Sequence, residues 1–110
     1  MHITFVKKRL ASGEFCDKCQ DVERRLRADG HFDRIDAVLI ADEADPESQG
    51  MQLANALDVE RAPFFVVRDG DRTSVYTVYF KFVKEVLRAP VKASEAAVEI
   101  LRDNPDLDFV

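Results

Sequence analysis

The chain contains 110 residues, which is enough for one domain with its own core and too few for two independent cores. Hydrophobic residues make up 46% of the sequence and charged residues 34%, a balance that excludes a disordered chain. The 21 acidic residues outnumber the 16 Lys and Arg residues. The resulting net charge of −5 argues against a nucleic-acid partner, because phosphate binding depends on basic side chains.

The first part of the chain predicts a strand, a helix and a second strand. Residues 2–7 alternate as a strand does and end in a basic run. Apolar positions recur at helical spacing from Cys16 onwards, and Gly30 is suited to end that helix in a left-handed conformation. Residues 34–41 are rich in β-branched side chains, which predicts a central strand covered on both faces.

The middle of the chain predicts a helix followed by a hairpin. Asp45 as N-cap and Pro46 in the first turn mark the expected helix start. The apolar run at residues 64–67 predicts a buried strand. A turn at residues 69–71 then leads to a partner strand at residues 73–78.

Two helices are expected at the end of the chain. An apolar stripe over residues 79–87 predicts the third helix, and residues 94–102 predict an extra C-terminal helix after Pro90. This order of elements predicts an α/β fold with a mixed central sheet of about four strands flanked by helices. We expect one domain over residues 1–110.

The chemistry of the chain centres on Cys16 and Cys19, its only cysteines. Such a pair can close a small disulfide, and the positive end of a helix favours a thiolate on the first cysteine. Metal sites use the same spacing, but a closed zinc site needs four ligands, and His2 and His31 are the only histidines. Redox chemistry is the favoured interpretation, with a zinc or iron–sulfur site as the alternative.

The sequence also predicts a compartment. No stretch approaches the roughly 20 apolar residues of a membrane helix, and the first residues lack the basic-then-apolar order of an export signal. We therefore expect a cytoplasmic protein with no membrane partner. In the cytoplasm a disulfide is usually transient and catalytic, which favours a redox role over a structural one.

Two separated motifs resemble the thioredoxin/glutaredoxin superfamily. The first is the Cys16-Asp17-Lys18-Cys19 segment after a strand, and the second is the segment 59–70, in which Pro63 precedes an apolar strand. The resemblance covers residues 2–88 and leaves the helix at 94–102 unmatched. It implies a thioredoxin-like fold in which Pro63 is cis and packs beside the dithiol, and in which the backbone of Ala62 pairs with substrate.

Three neighbouring residues extend the expected site. Arg61 is expected to border the dithiol and contact substrate, although a solvated loop arginine is the simpler alternative. Phe15 stands where thioredoxins have tryptophan and is expected to contact substrate. Lys18 is expected to favour the thiolate against the nearby carboxylates. The Gly-Gly and Asp segment of glutaredoxins has no clear counterpart, which argues against glutathione as a ligand.

The resemblance implies a thiol–disulfide oxidoreductase that needs no cofactor. Cys16 is expected to attack a protein or small-molecule disulfide, and the more covered Cys19 to resolve the mixed disulfide. The acidic residues around the thiols predict a reductant rather than a strong oxidant. The alternative from another class is a binding module of the same fold that docks a partner without turnover.

Overall fold

The computed structural model describes residues 1–88 of the chain. Backbone contacts divide the chain into two compact units, Met1–Val75 and Tyr76–Val110. The elements in chain order are β1 (His2–Arg9), α1 (Asp17–Ala28), β2 (Ala37–Asp42), α2 (Gln49–Ala56), β3 (Phe64–Asp69), β4 (Arg72–Tyr76) and α3 (Tyr79–Phe82), which continues as a π-helical turn over Val83–Leu87.

The strands form one mixed sheet in the order β2-β1-β3-β4. β1 pairs with β2 in parallel, with Phe5 opposite Val38, and with β3 antiparallel, with Phe5 opposite Phe65. Gly70, at φ +60°, lies in the short turn between β3 and β4. The predicted α/β class and the mixed four-stranded sheet are therefore confirmed.

Both faces of the sheet carry buried apolar side chains. On one face, Val6 and Phe64 belong to a cluster that includes Ala54 of α2. On the other face, the rings of Phe5 and Phe65 stack with their centroids 5.1 Å apart. Side chains alternate along a strand, so Lys7 lies on the same face of β1 as Phe5. Lys7 forms an ion pair with Glu23 of α1, which places α1 on this face and α2 on the opposite one.

Among the strands of residues 1–88, β2 lies at the edge of the sheet, so the prediction of a central strand at residues 34–41 was wrong. The structured strand is also shorter, Ala37–Asp42, and Val38 and Ile40 on one of its faces remain 39% and 38% exposed. Asp36, the residue before β2, holds the start of this strand against β1, because its Oδ2 accepts a hydrogen bond from the backbone N–H of Ile3 at 2.7 Å. An apolar run indicates a strand, but it does not distinguish a central position from an edge position.

The second helix begins later than predicted, because Ser48 rather than Asp45 is its N-cap. The Asp45 carboxylate accepts a hydrogen bond from the Glu47 backbone N–H at 3.0 Å, which closes a local turn instead of capping a helix. Ser48 Oγ accepts from the Asp42 backbone N–H at 3.0 Å. The hydroxyl therefore connects the start of α2 to the end of β2.

In the second unit, residues 79–87 are helical, as predicted. The helix changes from α-helical to π-helical hydrogen bonding after Phe82. Tyr79, Phe82 and Val83 are its buried residues, and the Phe82 ring meets the Tyr76 ring edge-on at a centroid distance of 6.1 Å. The helix predicted at residues 94–102 lies outside the described residues, and the prediction of one domain over 1–110 stays a prediction. Within residues 1–88, no helix has the length and apolar character needed to cross a bilayer.

Gly50 provides a test of the packing between α2 and β2. A Cβ atom at this position would collide with main-chain atoms of Ile40 and Ala41. Gly50→Ala is therefore expected to destabilise the protein by about 2 kcal/mol or more, although alanine normally favours a helix. Denaturant unfolding measures the change.

Gly30→Ala serves as the comparison for that experiment. A Cβ at Gly30 meets nothing within 4 Å, and only the positive φ of +75° opposes it. Its expected cost is about 1 kcal/mol. A Gly50 variant as stable as the wild type would contradict the close contact between α2 and β2.

Candidate functional site

The loop between β1 and α1 is folded back on itself and presents Cys16 at its end. The Leu10 backbone N–H donates to the Glu14 carbonyl at 2.7 Å, and the Gly13 N–H donates to the Leu10 carbonyl at 2.8 Å. Gly13 has φ +97°, which a glycine adopts readily. The Arg9 guanidinium donates to the Gly13 carbonyl at 3.0 Å. These contacts fix where α1 begins.

Cys16 is the N-cap of α1, and it is joined to Cys19 by a disulfide. The two Cα atoms lie 5.2 Å apart, within the range that disulfides require. Cys16 Sγ accepts a hydrogen bond from the Cys19 backbone N–H at 3.2 Å. In the reduced protein, this N–H and the positive end of the helix would stabilise a thiolate at position 16.

The main chain of Lys8, in β1, contacts both cysteines. The Lys8 carbonyl accepts a hydrogen bond from the Cys16 N–H at 3.1 Å, and the Lys8 N–H donates to Cys19 Sγ at 3.2 Å. Each half of the disulfide is therefore held by β1 at a residue that pairs with Ala41 of β2.

The two sulfur-bearing residues differ in exposure. Cys19 is 0% exposed and belongs to the buried stripe of α1 with Val22 and Leu26, whereas Cys16 is only partly buried. An incoming molecule therefore reaches Cys16 more easily than Cys19.

A groove of about 840 Å³ lies beside α1; it is called the α1 groove below. Phe15, Cys19 and the ion pair of Lys7 with Glu23 contribute to its lining. Lys7 Nζ lies 2.7 Å from Glu23 Oε1 and 4.2 Å from the centroid of the Phe15 ring. The Gln20 side chain donates to the Phe15 carbonyl at 2.8 Å, so both the ring and the backbone of Phe15 are held.

The Glu23 carboxylate is held in its charged form. Burial raises the pKa of Glu23, but the hydrogen bond and the charge of Lys7, with a smaller contribution from Arg27, outweigh burial and lower the pKa overall. Glu23 follows Cys19 by one helical turn, and both line the α1 groove.

A second ion pair stands on the opposite face of β1. Lys8 Nζ lies 3.2 Å from Glu43 Oε2, and the Ala11 backbone N–H donates to Glu43 Oε1 at 3.1 Å. The Lys8 hydrogen bond and the Ala11 N–H lower the pKa of Glu43. The Glu43 N–H also donates to the Arg9 carbonyl at 2.9 Å. Glu43 thus ties the end of β2 to the loop that carries the cysteines.

The predicted substrate loop lies directly before β3. As predicted, the peptide bond between Ala62 and Pro63 is cis. Pro63 is buried, Ala62 partly buried and Arg61 exposed. Phe64, directly after Pro63, pairs with Val6, two residues before Lys8.

Four of the seven predicted site residues line one of two grooves, and Cys16, Lys18 and Pro63 line neither. Phe15 and Cys19 line the α1 groove, whereas Arg61 and Ala62 line a second groove of about 410 Å³ beside α2. Lys18 lies in the first turn of α1 and is partly buried. Their catalytic and binding roles stay predictions. In the part of the chain that is described, no three His, Cys, Asp or Glu side chains gather as metal ligands would.

The sequence interpretation missed Lys7, Lys8, Glu23 and Glu43, which form one ion pair on each face of β1. The sequence contains a signal for the two lysines, because alternation along β1 predicts that Lys7 and Lys8 lie on opposite faces of the sheet. It contains no signal for their acidic partners, because Glu23 and Glu43 are distant in sequence and contact the lysines only in the folded chain.

Comparison of the chain with protein-family models, with curated proteins and with solved structures found no match. The site is therefore interpreted from its own geometry.

The ion pair of Glu23 and Lys7 predicts a pH-dependent contribution to stability. Glu23→Gln should lower the free energy of unfolding by about 1 kcal/mol near pH 7, because both partners are largely covered. Since the folded-state pKa of Glu23 is lowered, this contribution is present above the ordinary glutamate pKa of about 4.3 and is lost as the pH falls through the lowered value.

Urea unfolding of the wild type and the variant from about pH 7 to about pH 2 measures this difference. Glu47→Gln, which removes an exposed carboxylate, is the control and should leave stability unchanged at every pH. A difference between Glu23→Gln and wild type that grows towards low pH would contradict the assignment.

Proposed function

We propose that the protein is a thiol–disulfide oxidoreductase with a thioredoxin-like fold. The observation that carries this proposal is the asymmetric pair at the start of α1, in which the accessible Cys16 receives a helix N–H and is bonded to the fully covered Cys19. A nucleophile needs access and thiolate stabilisation, and a resolving thiol needs proximity to the nucleophile.

The topology supports the thioredoxin-like assignment. The parallel pairing of β1 with β2 across α1, the β3–β4 hairpin and the single mixed sheet agree with the layout expected from the order of elements. The cysteine pair follows β1 and Pro63 precedes β3. The two motifs that carry the resemblance have the same positions relative to their strands.

In the proposed reaction, the reduced protein transfers two electrons to a disulfide substrate. The Cys16 thiolate attacks one substrate sulfur, forming a mixed disulfide and releasing the other substrate sulfur as a thiolate that takes up a proton. Cys19 then loses its proton and attacks Cys16 Sγ, which forms the intramolecular disulfide and releases the second substrate thiol. A dithiol reductant from outside the protein must reduce the disulfide before the next cycle.

Each step has a structural counterpart. The N–H of Cys19 faces the position 16 sulfur, and the N–H of Lys8 faces the position 19 sulfur, so a backbone donor is in place for either thiolate. Ala62 and Pro63 are assigned to substrate binding through the resemblance. The substrate is a protein or small-molecule disulfide.

The electrostatics favour a reductant. Glu14 and Asp17 line the α1 groove together with Cys19, and Asp17 stands in the first turn of α1. Their negative charges oppose a thiolate at the helix start, so the reduced form gains less stability than in a strong oxidant.

Trapping of the mixed disulfide tests the roles of the cysteines. Cys19→Ser should accumulate a mixed disulfide between Cys16 and a disulfide-bonded substrate, because the resolving attack is lost. Mass spectrometry of the non-reduced protein identifies the cysteine that carries the adduct.

Cys16→Ser is the matched variant and should neither reduce the substrate nor form a lasting adduct. A trapped adduct on Cys19 of Cys16→Ser that forms as fast as the Cys16 adduct of Cys19→Ser would contradict these roles. Full activity of Cys16→Ser would refute the proposed function.

The reduction potential of the Cys16/Cys19 couple tests the direction of electron flow. We expect a value below about −200 mV, as in thioredoxins and glutaredoxins, rather than the roughly −120 mV of a strong oxidant. Asp17→Lys should raise the potential, because a cation in the first turn of α1 stabilises the thiolate form. Equilibration with glutathione or dithiothreitol buffers measures both proteins.

Asp69→Lys makes the same charge change at the opposite end of the sheet, since His2 at the start of β1 pairs with Arg68. This control should leave the potential unchanged. A potential that responds equally to both substitutions would contradict a local effect of Asp17.

A further inference from the structure

The outer edge of β2 carries backbone donors and acceptors that no strand of residues 1–88 uses. The Asp36 N–H donates to the Ile3 carbonyl at 2.8 Å, so the main-chain groups of Asp36 point towards β1. Because these groups alternate along a strand, those of every second residue after Asp36 also point towards β1, whereas those of Ala37, Leu39 and Ala41 point outwards. The edge therefore presents the groups that a further strand would bond.

Apolar side chains continue along the sheet up to this edge. Val38 lies opposite Phe5, which lies opposite Phe65, so the three side chains form a row across one face of the sheet. The two phenylalanines are buried, but Val38 and its neighbour on the same face, Ile40, are 39% and 38% exposed. A further strand would cover this apolar area.

β2 lacks the features that normally keep edge strands apart. Natural edge strands carry charged residues, proline or a bulge, but residues 37–41 read Ala-Val-Leu-Ile-Ala. The other edge strand within residues 1–88, β4, begins with Arg72, Thr73 and Ser74. The contrast favours pairing at β2 and disfavours it at β4.

The strand that fits this edge is β2 of a second copy. An uncharged strand pairs best with another uncharged strand, because a charge opposite apolar side chains would lose its water. Antiparallel pairing centred on Leu39 places Val38 of one copy opposite Ile40 of the other, and two-fold symmetry repeats this contact. The same pairing joins the outward-pointing residues, Leu39 with Leu39 and Ala37 with Ala41.

The aspartates at the two ends of β2 determine this register. With the centre at Leu39, Asp36 lies opposite Asp42 of the other copy, outside the apolar segment. A centre at either neighbouring residue would place one of these carboxylates opposite Ile40 or Val38. The two pairs of aspartates still repel each other, so salt should strengthen the pairing by screening them.

We propose that the chain forms a homodimer in which the β2 strands pair antiparallel and join the two four-stranded sheets into one. The inference does not depend on the proposed oxidoreductase function. A five-residue strand from each copy is far less than the roughly 20 to 30 residues a side of a stable interface. The dimer is therefore weak, with a Kd on the order of 100 µM.

Sedimentation equilibrium of the oxidised protein from about 20 µM to about 1 mM tests the dimer. The average mass should rise towards that of two chains, and the Kd should fall severalfold between about 0.05 M and about 0.5 M salt. Hydrogen exchange at the Leu39 amide should slow over the same range of protein concentration, because this N–H becomes bonded across the interface.

Substitutions on the two edge strands locate the interface. Val38→Lys places a charge within the paired segment and should raise the Kd by about tenfold or more. Val75→Lys is the matched control, because Val75 is also 38% exposed but lies on β4, and it should leave the Kd unchanged. Adding Ile40→Glu to Val38→Lys sets opposite charges across the interface and should restore part of the lost affinity.

A protein that stays monomeric up to about 1 mM, or whose mass grows beyond two chains, would overturn the proposal. Equal Kd values for Val38→Lys and Val75→Lys would do the same. A mass increase that disappears with a reductant would identify intermolecular disulfides in place of strand pairing. Circular dichroism checks the fold of each variant, and should Val38→Lys not fold, exchange at the Leu39 amide of the wild type decides.

Discussion

The site depends on one feature, the hydrogen bonding of the Lys8 main chain to both cysteines. Lys8 pairs with Ala41 of β2, and two residues earlier β1 also pairs with β3, where Val6 lies opposite Phe64. Hydrogen-bonded strands of a sheet are among the least mobile parts of a domain. The cysteine pair is therefore anchored to the sheet as well as to the loop that precedes α1.

Because β1 is pleated, the last residues of this strand contact elements on both faces of the sheet. Lys7 and Lys8 point to opposite faces, and each is neutralised by an acid from a different element, Glu23 of α1 and Glu43 after β2. The first pair holds Phe15 beside the α1 groove, and both members of the second pair line the groove beside α2. One strand end therefore connects the cysteines to both grooves.

The elements and the cysteine pair were predictable from sequence because periodicity and spacing are local signals. Cys16 at the helix start and the turn at Gly70 follow from such signals. The edge position of β2 and the N-cap Ser48 did not follow, since both depend on which segments become neighbours. The partners of Lys7 and Lys8 depend on strand register and helix placement, which a single sequence does not specify.

The neutralised lysines bear on how substrate recognition would work. A small anionic thiol needs cationic groups that are not already compensated, but Lys7 and Lys8 are both engaged with carboxylates. The other two charged residues that line the groove beside α2, Glu60 and Arg61, form no ion pair within residues 1–88. In the proposed reaction, neither Lys7 nor Lys8 would therefore attract an anionic substrate, and Arg61 is the lining cation of this groove that would.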